Sequence, residues 1–491
     1  MKDSPHPFLD GSPKHLYING QSVPALAGEV FDCVNPSTGQ TIAQVSRAGP
    51  EDVDAAVASA QAAFDGPWKQ LKPFDRQSLM LDVAQAIDRR FDELALLETL
   101  DMGAPISRTR TFRRWVQQAF RYYASQAVGP RGMVFGNSFP GEMLSYSLKQ
   151  PLGVVGGIIP WNGPLITQLW SICPVLATGC TLVLKPAEEA PLSALLMAEI
   201  LAETGVPPGV INVVPGPGPT AGAALAAHPG VARITFTGST ATGRKIIEAS
   251  ATNIKRVSVE LGGKSPNIVF ADADLAAAAS GSAMACFNNT GQVCYAGTRL
   301  FVERKVYKEF VGQVAEAGRA LKVGHSLDSA TQLGPLASAA QLDRVSKYFE
   351  VARDEGACLI SGGKRIGGEL AQGFFVQPTV LADVDNQMRI AREEVFGPVL
   401  TAIPFDTEEE VIALANDTVY GLGGAVWSRD VGRIHRLTEA LHCGMAWGNC
   451  YGATEPAVPM VGTKASGYGV KGGPFHVDEY LSSKSVWINT R

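Results

Sequence analysis

Apolar and polar positions along this chain repeat with two different periods. In VASAQAAF (57–64) and LMLDVAQAIDRRFDELALLETL (79–100) apolar residues return every three to four positions, which predicts helices with one buried face. LSALLMAEILAET (192–204) follows the same rule, with Pro191 near its start and Gly205 just past its end. Between these lie short continuous apolar runs, VVGGII (154–159), INVV (211–214), ITFTG (234–238) and VSVELGG (257–263), bounded by Gly/Pro turns. They read as buried strands. Strands alternating with helices at this spacing form βαβ units around a parallel sheet.

A second alternating series begins after Gly263. It holds the strand NIVF, helices near 274–288, 306–320 and 337–354, the strand ACLI, and the later strands AVWS and MAWGN. This predicts a second α/β domain. LSSKSVWI (481–488) alternates polar and apolar residues beyond a Gly-rich stretch, so it reads as a lone terminal strand that pairs elsewhere in the chain or with another subunit. Gln150 to Leu184 carries no charge, yet Pro151, Pro160, Pro164 and Pro174 interrupt it along with five glycines. Such breakers fit buried strand, loop and helix rather than the run of about 20 apolar residues that a spanning helix needs.

Composition narrows the function classes. The 491 residues are enough for two to four domains, with 46% apolar content and a net charge of −5. No basic block points to nucleic acid or a membrane surface. The N-terminal stretch is polar and proline-rich, without the apolar core of a secretory signal. Eight scattered cysteines form no CxxC pair and seven histidines form no HxH or HxxxH cluster, so free thiols, a reducing cytoplasm and no metal site are expected.

One cysteine stands out. NNTGQVCYAG (288–297) sets Cys294 between Gly291 and Gly297, and its Asn-Asn-Thr-Gly run reads as a helix end entering a turn. Four other stretches break their local pattern. IIPWNGPL (158–165) places the Asn162 amide at the carboxyl end of a strand, where open α/β sheets bind ligands. LKPAE (184–188) sets Lys185 and Glu188 just past a strand, where an acid holds ribose hydroxyls. FTGSTATG (236–243) opens a helix whose N–H groups, with Ser239, offer a phosphate site, although its spacing is not GxGxxG. VSVELGGKSP (257–266) puts the single acid Glu260 in an apolar strand, where burial raises a carboxyl toward the range of a general base. Each has a plain structural alternative: a turn asparagine, a solvated loop pair, a helix cap, a strand-end glutamate in water.

The order PWN, KPAE, FTGST, ELGGKSP, GQVC and EEVFGPV (393–399) resembles the aldehyde dehydrogenase superfamily, most of all its NAD-dependent, non-acylating branch, from about Tyr17 to Ile488. The resemblance implies a Rossmann-like cofactor domain (1–127 and 149–262), a second α/β catalytic domain (263–465) and a small β ribbon for oligomerisation (128–148 and 466–491), with dimers or tetramers usual. It implies Cys294 as nucleophile, Glu260 as general base, and Asn162 with the Cys294 N–H as the oxyanion site. It assigns NAD to Ile158, Ile159, Pro160, Trp161, Lys185, Glu188, Gly218, Phe236, Gly238, Ser239, Leu261, Gly262, Gln341, Glu394 and Phe396. It places the aldehyde among Gly163, Thr167, Trp170, Val293, Tyr295, Thr454 and Met460.

The chain also departs from that pattern. PWNFP reads PWNGP, and two further positions that are often aromatic are Thr454 and Met460. Fewer aromatics leave a wider tunnel, which predicts a ring-bearing, branched or terpenoid aldehyde. A lysine frequent after PWN is Ser171, and a glutamate frequent near the C-terminus is Lys471, so the cation near Glu260 has changed sides. Competing readings are a CoA-acylating dehydrogenase, an amino-aldehyde or semialdehyde dehydrogenase with Glu455 meeting a cation, and a non-catalytic relative.

Overall fold

The computed structural model describes residues 6–129 and 132–491; the first residues of the expected cofactor domain and positions 130–131 of the expected ribbon lie outside it. The short apolar runs form two sheets. In the first, five parallel strands lie in the order Ile211–Val213, Thr181–Lys185, Val154–Ile158, Arg233–Thr237 and Arg256–Glu260. Antiparallel strands extend both edges, Leu16–Ile18 and Gln21–Val23 on one side and Gly467–Tyr468 on the other. The second sheet runs Cys358–Ser361, Thr379–Ala382, Val399–Phe405, Arg299–Glu303, Pro266–Val269, Gly423–Trp427 and Met445–Gly448, parallel except for its first pair.

Alternating side chains of each strand enter cores on opposite faces. Val154 and Ile158 join one cluster, while Val155 joins the cluster on the other side; Val183 and its neighbours Leu182 and Leu184 divide the same way. The helices supply the facing surfaces. The 79–100 pattern forms two helices, Pro73–Arg89 and Phe91–Met102, with a break at Arg90. Both halves keep an inward apolar face, so periodicity alone gives no sign of the break. Arg90 closes it by pairing with Glu93 and Glu203 at 2.9 Å each. The charge-free stretch is strand, short helix, helix and strand as expected, and among the described residues no helix is long and apolar enough to cross a membrane.

Connectivity sets the site. In the first sheet, the chain leaves Val154–Ile158 toward one neighbour and later crosses to the other side at Arg233–Thr237, so the carboxyl ends of these strands flank a switch point. The link Leu261–Ser265 carries the chain from the carboxyl end of Arg256–Glu260 to the start of Pro266–Val269 in the second sheet. Cys294 precedes Arg299–Glu303, and Glu394 precedes Val399–Phe405. The amino edge of the second sheet thus meets the carboxyl edge of the first. Away from this cleft, Leu481–Asn489 pairs antiparallel with Met143–Pro151 over nine residues, and Val134–Phe135 adds a third strand.

Candidate active site

The backbone before Cys294 is held in a costly shape. The helix Leu275–Phe287 passes into a single tight turn in which Asn289, Thr290 and Gly291 have φ of 54°, 56° and 73°. Left-handed backbone costs a non-glycine residue about 1–2 kcal/mol. Side chains keep it there. Asn289 Nδ2 donates to the carbonyls of Asn162 at 2.9 Å and Gln292 at 3.2 Å, and Thr290 Oγ1 donates to Gly334 at 2.9 Å. Gln292 donates from Nε2 to Asn289 O at 3.0 Å and accepts the Ala337 N–H at 2.9 Å. At Gly291 any Cβ would collide with the backbone of Gly397. The turn ends by presenting Val293, Cys294 and Tyr295, each only partly buried, to the cleft.

Asn162 completes the stitch between the sheets. Its carbonyl accepts from Asn289 while its own Nδ2 donates to Gln292 O at 2.9 Å. This reciprocal pair sets the Asn162 amide two residues from the cysteine. The Cys294 thiol is pushed up to about 12, first by burial and then by the Glu260 and Glu394 carboxyls; the N–H groups of Tyr295 and Cys294 oppose this by favouring the thiolate. The resting nucleophile is therefore a thiol, and a proton acceptor is required.

Glu260 ends its strand buried, and neither carboxylate oxygen has a hydrogen-bond partner among the described residues. Burial raises its pKa; attraction to Lys471 lowers it, and Glu479 raises it. Lys471 is itself buried, with its ammonium donating to Thr235 Oγ1 at 2.6 Å. Burial and the Arg233 charge lower its pKa, while Glu260 raises it. Arg233 donates to Ser258 Oγ and to Glu479 at 2.7 Å each. Ser171 Oγ is buried without a partner among the described residues. The cation beside the buried acid is Lys471, as the swap in sequence suggested.

The residues expected to hold the cofactor lie at the carboxyl ends of the first sheet's strands and on the loops of the second sheet that face them. Lys185 donates to Glu188 at 3.1 Å and to Gly216 O at 2.7 Å, and the Gly218 N–H donates to the other Glu188 oxygen at 3.1 Å. Above Gly218 there is open space. Ser239 caps the helix Thr240–Ser250, accepting from Thr242 N at 3.2 Å, so its hydroxyl is held by the turn. Gly238 donates to Glu260 O at 3.0 Å, and a Cβ there would press on the Phe236 ring. Ile158 and Ile159 are buried beneath Pro160 and Trp161. Trp161 meets the Phe396 ring edge-on at 5.3 Å. Gln341 donates to Phe396 O at 2.6 Å, fixing that loop from behind. Glu394 accepts the Gly263 N–H at 3.0 Å, and a side chain at Gly262 would strike its carboxylate. Leu261 packs under the helix that carries Gly243.

Aromatic rings form the remaining wall. Tyr295 lies 5.7 Å from Trp447, which lies 4.9 Å from Tyr451, and Tyr451 donates to Tyr295 O at 2.6 Å. Met460 packs with this group and Cys294. Trp170 is buried edge-on to Trp115 at 5.0 Å. Thr167 donates to Gly163 O at 3.0 Å, and no atom lies within 4 Å of a Cβ built at Gly163. Thr454 is exposed outside the ring cluster.

The sequence matches the aldehyde dehydrogenase family over residues 23–486. The chain belongs to this family. It is 41% identical over 478 residues to the betaine aldehyde dehydrogenase of Bacillus subtilis, covering 97% of each chain. It is 43% identical over 477 residues to the mitochondrial aldehyde dehydrogenase of Rattus norvegicus, covering 96% of this chain and 91% of the other. The NAD+ complex of an aldehyde dehydrogenase from Bacillus cereus superposes with a TM-score of 0.97 at 42% identity, covering 100% of this chain and 99% of that one.

Several residues of this dehydrogenase site escape a reading of motifs. Asn289 and Gln292 lie inside the stretch that drew attention, and Asn289 could have been found by asking what holds an Asn-Asn-Thr-Gly turn. Trp447 and Tyr451 sit in the MAWGN strand and just after it, where a short apolar run gives no sign of the surface it faces. Trp115, edge-on to Trp170, belongs to a helical region whose polar residues resemble a solvated face.

Proposed function

We propose that this aldehyde dehydrogenase oxidises a bulky, ring-bearing or branched aldehyde to the carboxylic acid, with NAD as the electron acceptor and Cys294 as the covalent catalyst. The observation that carries the reading is the convergence of three groups on one cleft: a half-buried thiol, the Asn162 amide bound to the same turn, and a buried carboxyl with no partner of its own among the described residues.

The Cys294 thiol gives its proton through water to solvent, a transfer that Glu260 assists without keeping the proton. The Cys294 sulfur then bonds to the aldehyde carbon and the carbonyl becomes an oxyanion. The free N–H of the Asn162 amide and the Cys294 backbone N–H stabilise that charge in place, because both are fixed before the reaction begins. When bound, NAD supplies the acceptor for the hydride that leaves the same carbon. The product of that step is an acyl thioester on Cys294. Glu260 next takes a proton from water; the hydroxide attacks the thioester carbon, the C–S bond breaks, and the acid leaves as the thiol reforms.

The cofactor residues fit this role. Glu188, oriented by Lys185 and Gly218, presents a carboxylate that suits ribose hydroxyls and repels a 2′-phosphate. Glu394 and Phe396 close the other end beside Trp161. Open space at Gly163 supports the bulky substrate. A hydrolytic base favours this reading over CoA acylation.

In the division proposed here, the first sheet and its helices bind cofactor, the second sheet carries the nucleophile, and the three-stranded ribbon forms the oligomer. Val134, Phe135, Leu144, Leu148, Trp487 and Ile488 on that ribbon are exposed, which supports burial against another subunit in a dimer or tetramer. All eight cysteines are free, which supports a cytoplasmic setting.

The test is NADH formation from NAD and a panel of aldehydes from acetaldehyde to benzaldehyde and terpenoid aldehydes, without CoA. Turnover that favours the bulky members and vanishes in Cys294→Ser is expected. Turnover that begins only with CoA, or that favours small straight aldehydes by about tenfold, would overturn the reading.

A further inference from the structure

We infer that Arg108 and Asn288 form an anion-binding subsite on the wall of the aldehyde pocket, so that the substrate is a ring-bearing aldehyde with a carboxylate away from its carbonyl.

The inference rests on Cys294 as the nucleophile and goes further, to what the rest of the substrate carries. Arg108 sits in the short helix Ile106–Thr109, a part of the chain with no assigned chemistry. Its guanidinium reaches inward. Nε donates to Asn288 Oδ1 at 3.1 Å, and Cζ lies 4.7 Å from the centre of the Phe112 ring. These two contacts fix the plane of the fork. Nη1 is buried and has no hydrogen-bond partner among the described residues. An unpaired buried donor of this kind is costly, and more so when it is charged.

The surroundings locate the fork at the pocket. Asn288 is the first residue of the turn that delivers Cys294, and its acceptor oxygen is held by Arg108, which leaves its amide N–H groups as the available donors. The guanidinium interacts electrostatically with Tyr295, the residue after the nucleophile. Phe112 begins the helix Phe112–Ala127, and one turn on, Trp115 stands against Trp170. Arg108, Phe112 and Trp115 thus follow one wall of the aromatic pocket.

The charged groups facing Arg108 do not satisfy its fork. Glu98 attracts it from the helix Phe91–Met102, yet one Glu98 oxygen accepts the Leu165 N–H at 2.8 Å, and neither the other oxygen nor Arg108 Nη1 has a hydrogen-bond partner among the described residues. The two side chains do not hydrogen-bond to each other. Burial raises the Glu98 carboxyl to about 7, so at neutral pH it neutralises the guanidinium only in part. A carboxylate matches the planar fork with two parallel hydrogen bonds, which a neutral or cationic substituent does not. This disfavours an amino-aldehyde, whose cation would face Arg108.

The experiment compares benzaldehyde, 4-carboxybenzaldehyde and 4-trimethylammoniobenzaldehyde with NAD, in the unmodified enzyme and in Arg108→Lys and Arg108→Met. The expected kcat/KM favours the carboxylate by about tenfold or more over benzaldehyde, keeps part of that preference in Arg108→Lys, and loses it in Arg108→Met. A ratio near one in the unmodified enzyme, or a preference that survives Arg108→Met, would overturn the inference. A readout independent of turnover separates this from failure of the catalytic reading. Thermal shift with 4-carboxybenzamide against benzamide is expected to show stabilisation by the acid alone, lost in Arg108→Met. No oxidation of any aldehyde alongside that selective shift would sink the catalytic reading and leave the subsite. Equal shifts would remove the subsite whatever the turnover. Asn288→Asp, which sets a negative charge beside the fork without truncating it, is expected to reduce the carboxylate preference in the same way; an unchanged preference would contradict the subsite.

Discussion

The Lys471 ammonium, buried and donating to Thr235 Oγ1 at 2.6 Å, acts on the Glu260 carboxyl as its main favourable charge, although the two form no hydrogen bond. Burial holds the Glu260 pKa above the ordinary carboxylate range, and Lys471 limits that rise. In the proposed mechanism deacylation needs the ionised carboxylate, so kcat is expected to fall as pH drops through this raised pKa. In Lys471→Met the attraction is gone and the acidic limb moves to higher pH. Pre-steady-state NADH release is expected to show a larger burst, because deacylation slows more than hydride transfer. An unmoved limb and an unchanged burst would remove Lys471 from the mechanism.

Asn289 ties Asn162 to the turn before Cys294, through Asn162 O and Gln292 O. In Asn289→Ala the buried Asn162 carbonyl loses a donor and the turn keeps its left-handed backbone without its tether. The expected loss is about 1–3 kcal/mol of stability in a urea titration. A fall in kcat larger than any rise in KM is expected beside it, since the geometry of the nucleophile is disturbed. Normal kinetics in a destabilised variant would make the tether purely structural.

In the proposed function, Glu188 decides between cofactors. Glu188→Gln keeps the size and removes the charge, so kcat/KM with NADP relative to NAD is expected to rise by about tenfold. An unchanged ratio would mean that the 2′-position lies away from this carboxylate.

No atom lies within 4 Å of a Cβ built at Gly163, and its φ of 175° is extended backbone that any residue adopts. Gly163→Phe is expected to fold normally and narrow the pocket. The kcat/KM for terpenoid aldehydes should fall by about tenfold or more, with little change for acetaldehyde. Equal effects on both would place Gly163 away from the bulky end of the substrate.

How much of this was legible follows from where each signal lies. Strands and helices repeat their period locally, so the two α/β units, the terminal strand and the turn before Cys294 could be read from neighbouring residues. The break at Arg90 could not, because two helices with the same spacing of apolar residues look like one. The proposed catalytic trio was visible because each member breaks its local pattern: an acid in an apolar strand, an amide after one, a cysteine between glycines. Arg108 breaks no pattern. Its partner Asn288 lies 180 residues away, and a polar run such as ISRTRT reads as a solvated face until the fold turns it inward. Trp115 and Trp170 meet for the same reason, across two helices joined only by packing.

The central claim is that Cys294 carries the acyl group and Glu260 releases it. The most direct measurement is the intact mass of Glu260→Gln enzyme after mixing with NAD and benzaldehyde. An acyl adduct on Cys294, formed with one equivalent of NADH and absent from the Cys294→Ser protein, is the result expected. Steady turnover in Cys294→Ser, or rapid turnover without any adduct in Glu260→Gln, would contradict the account.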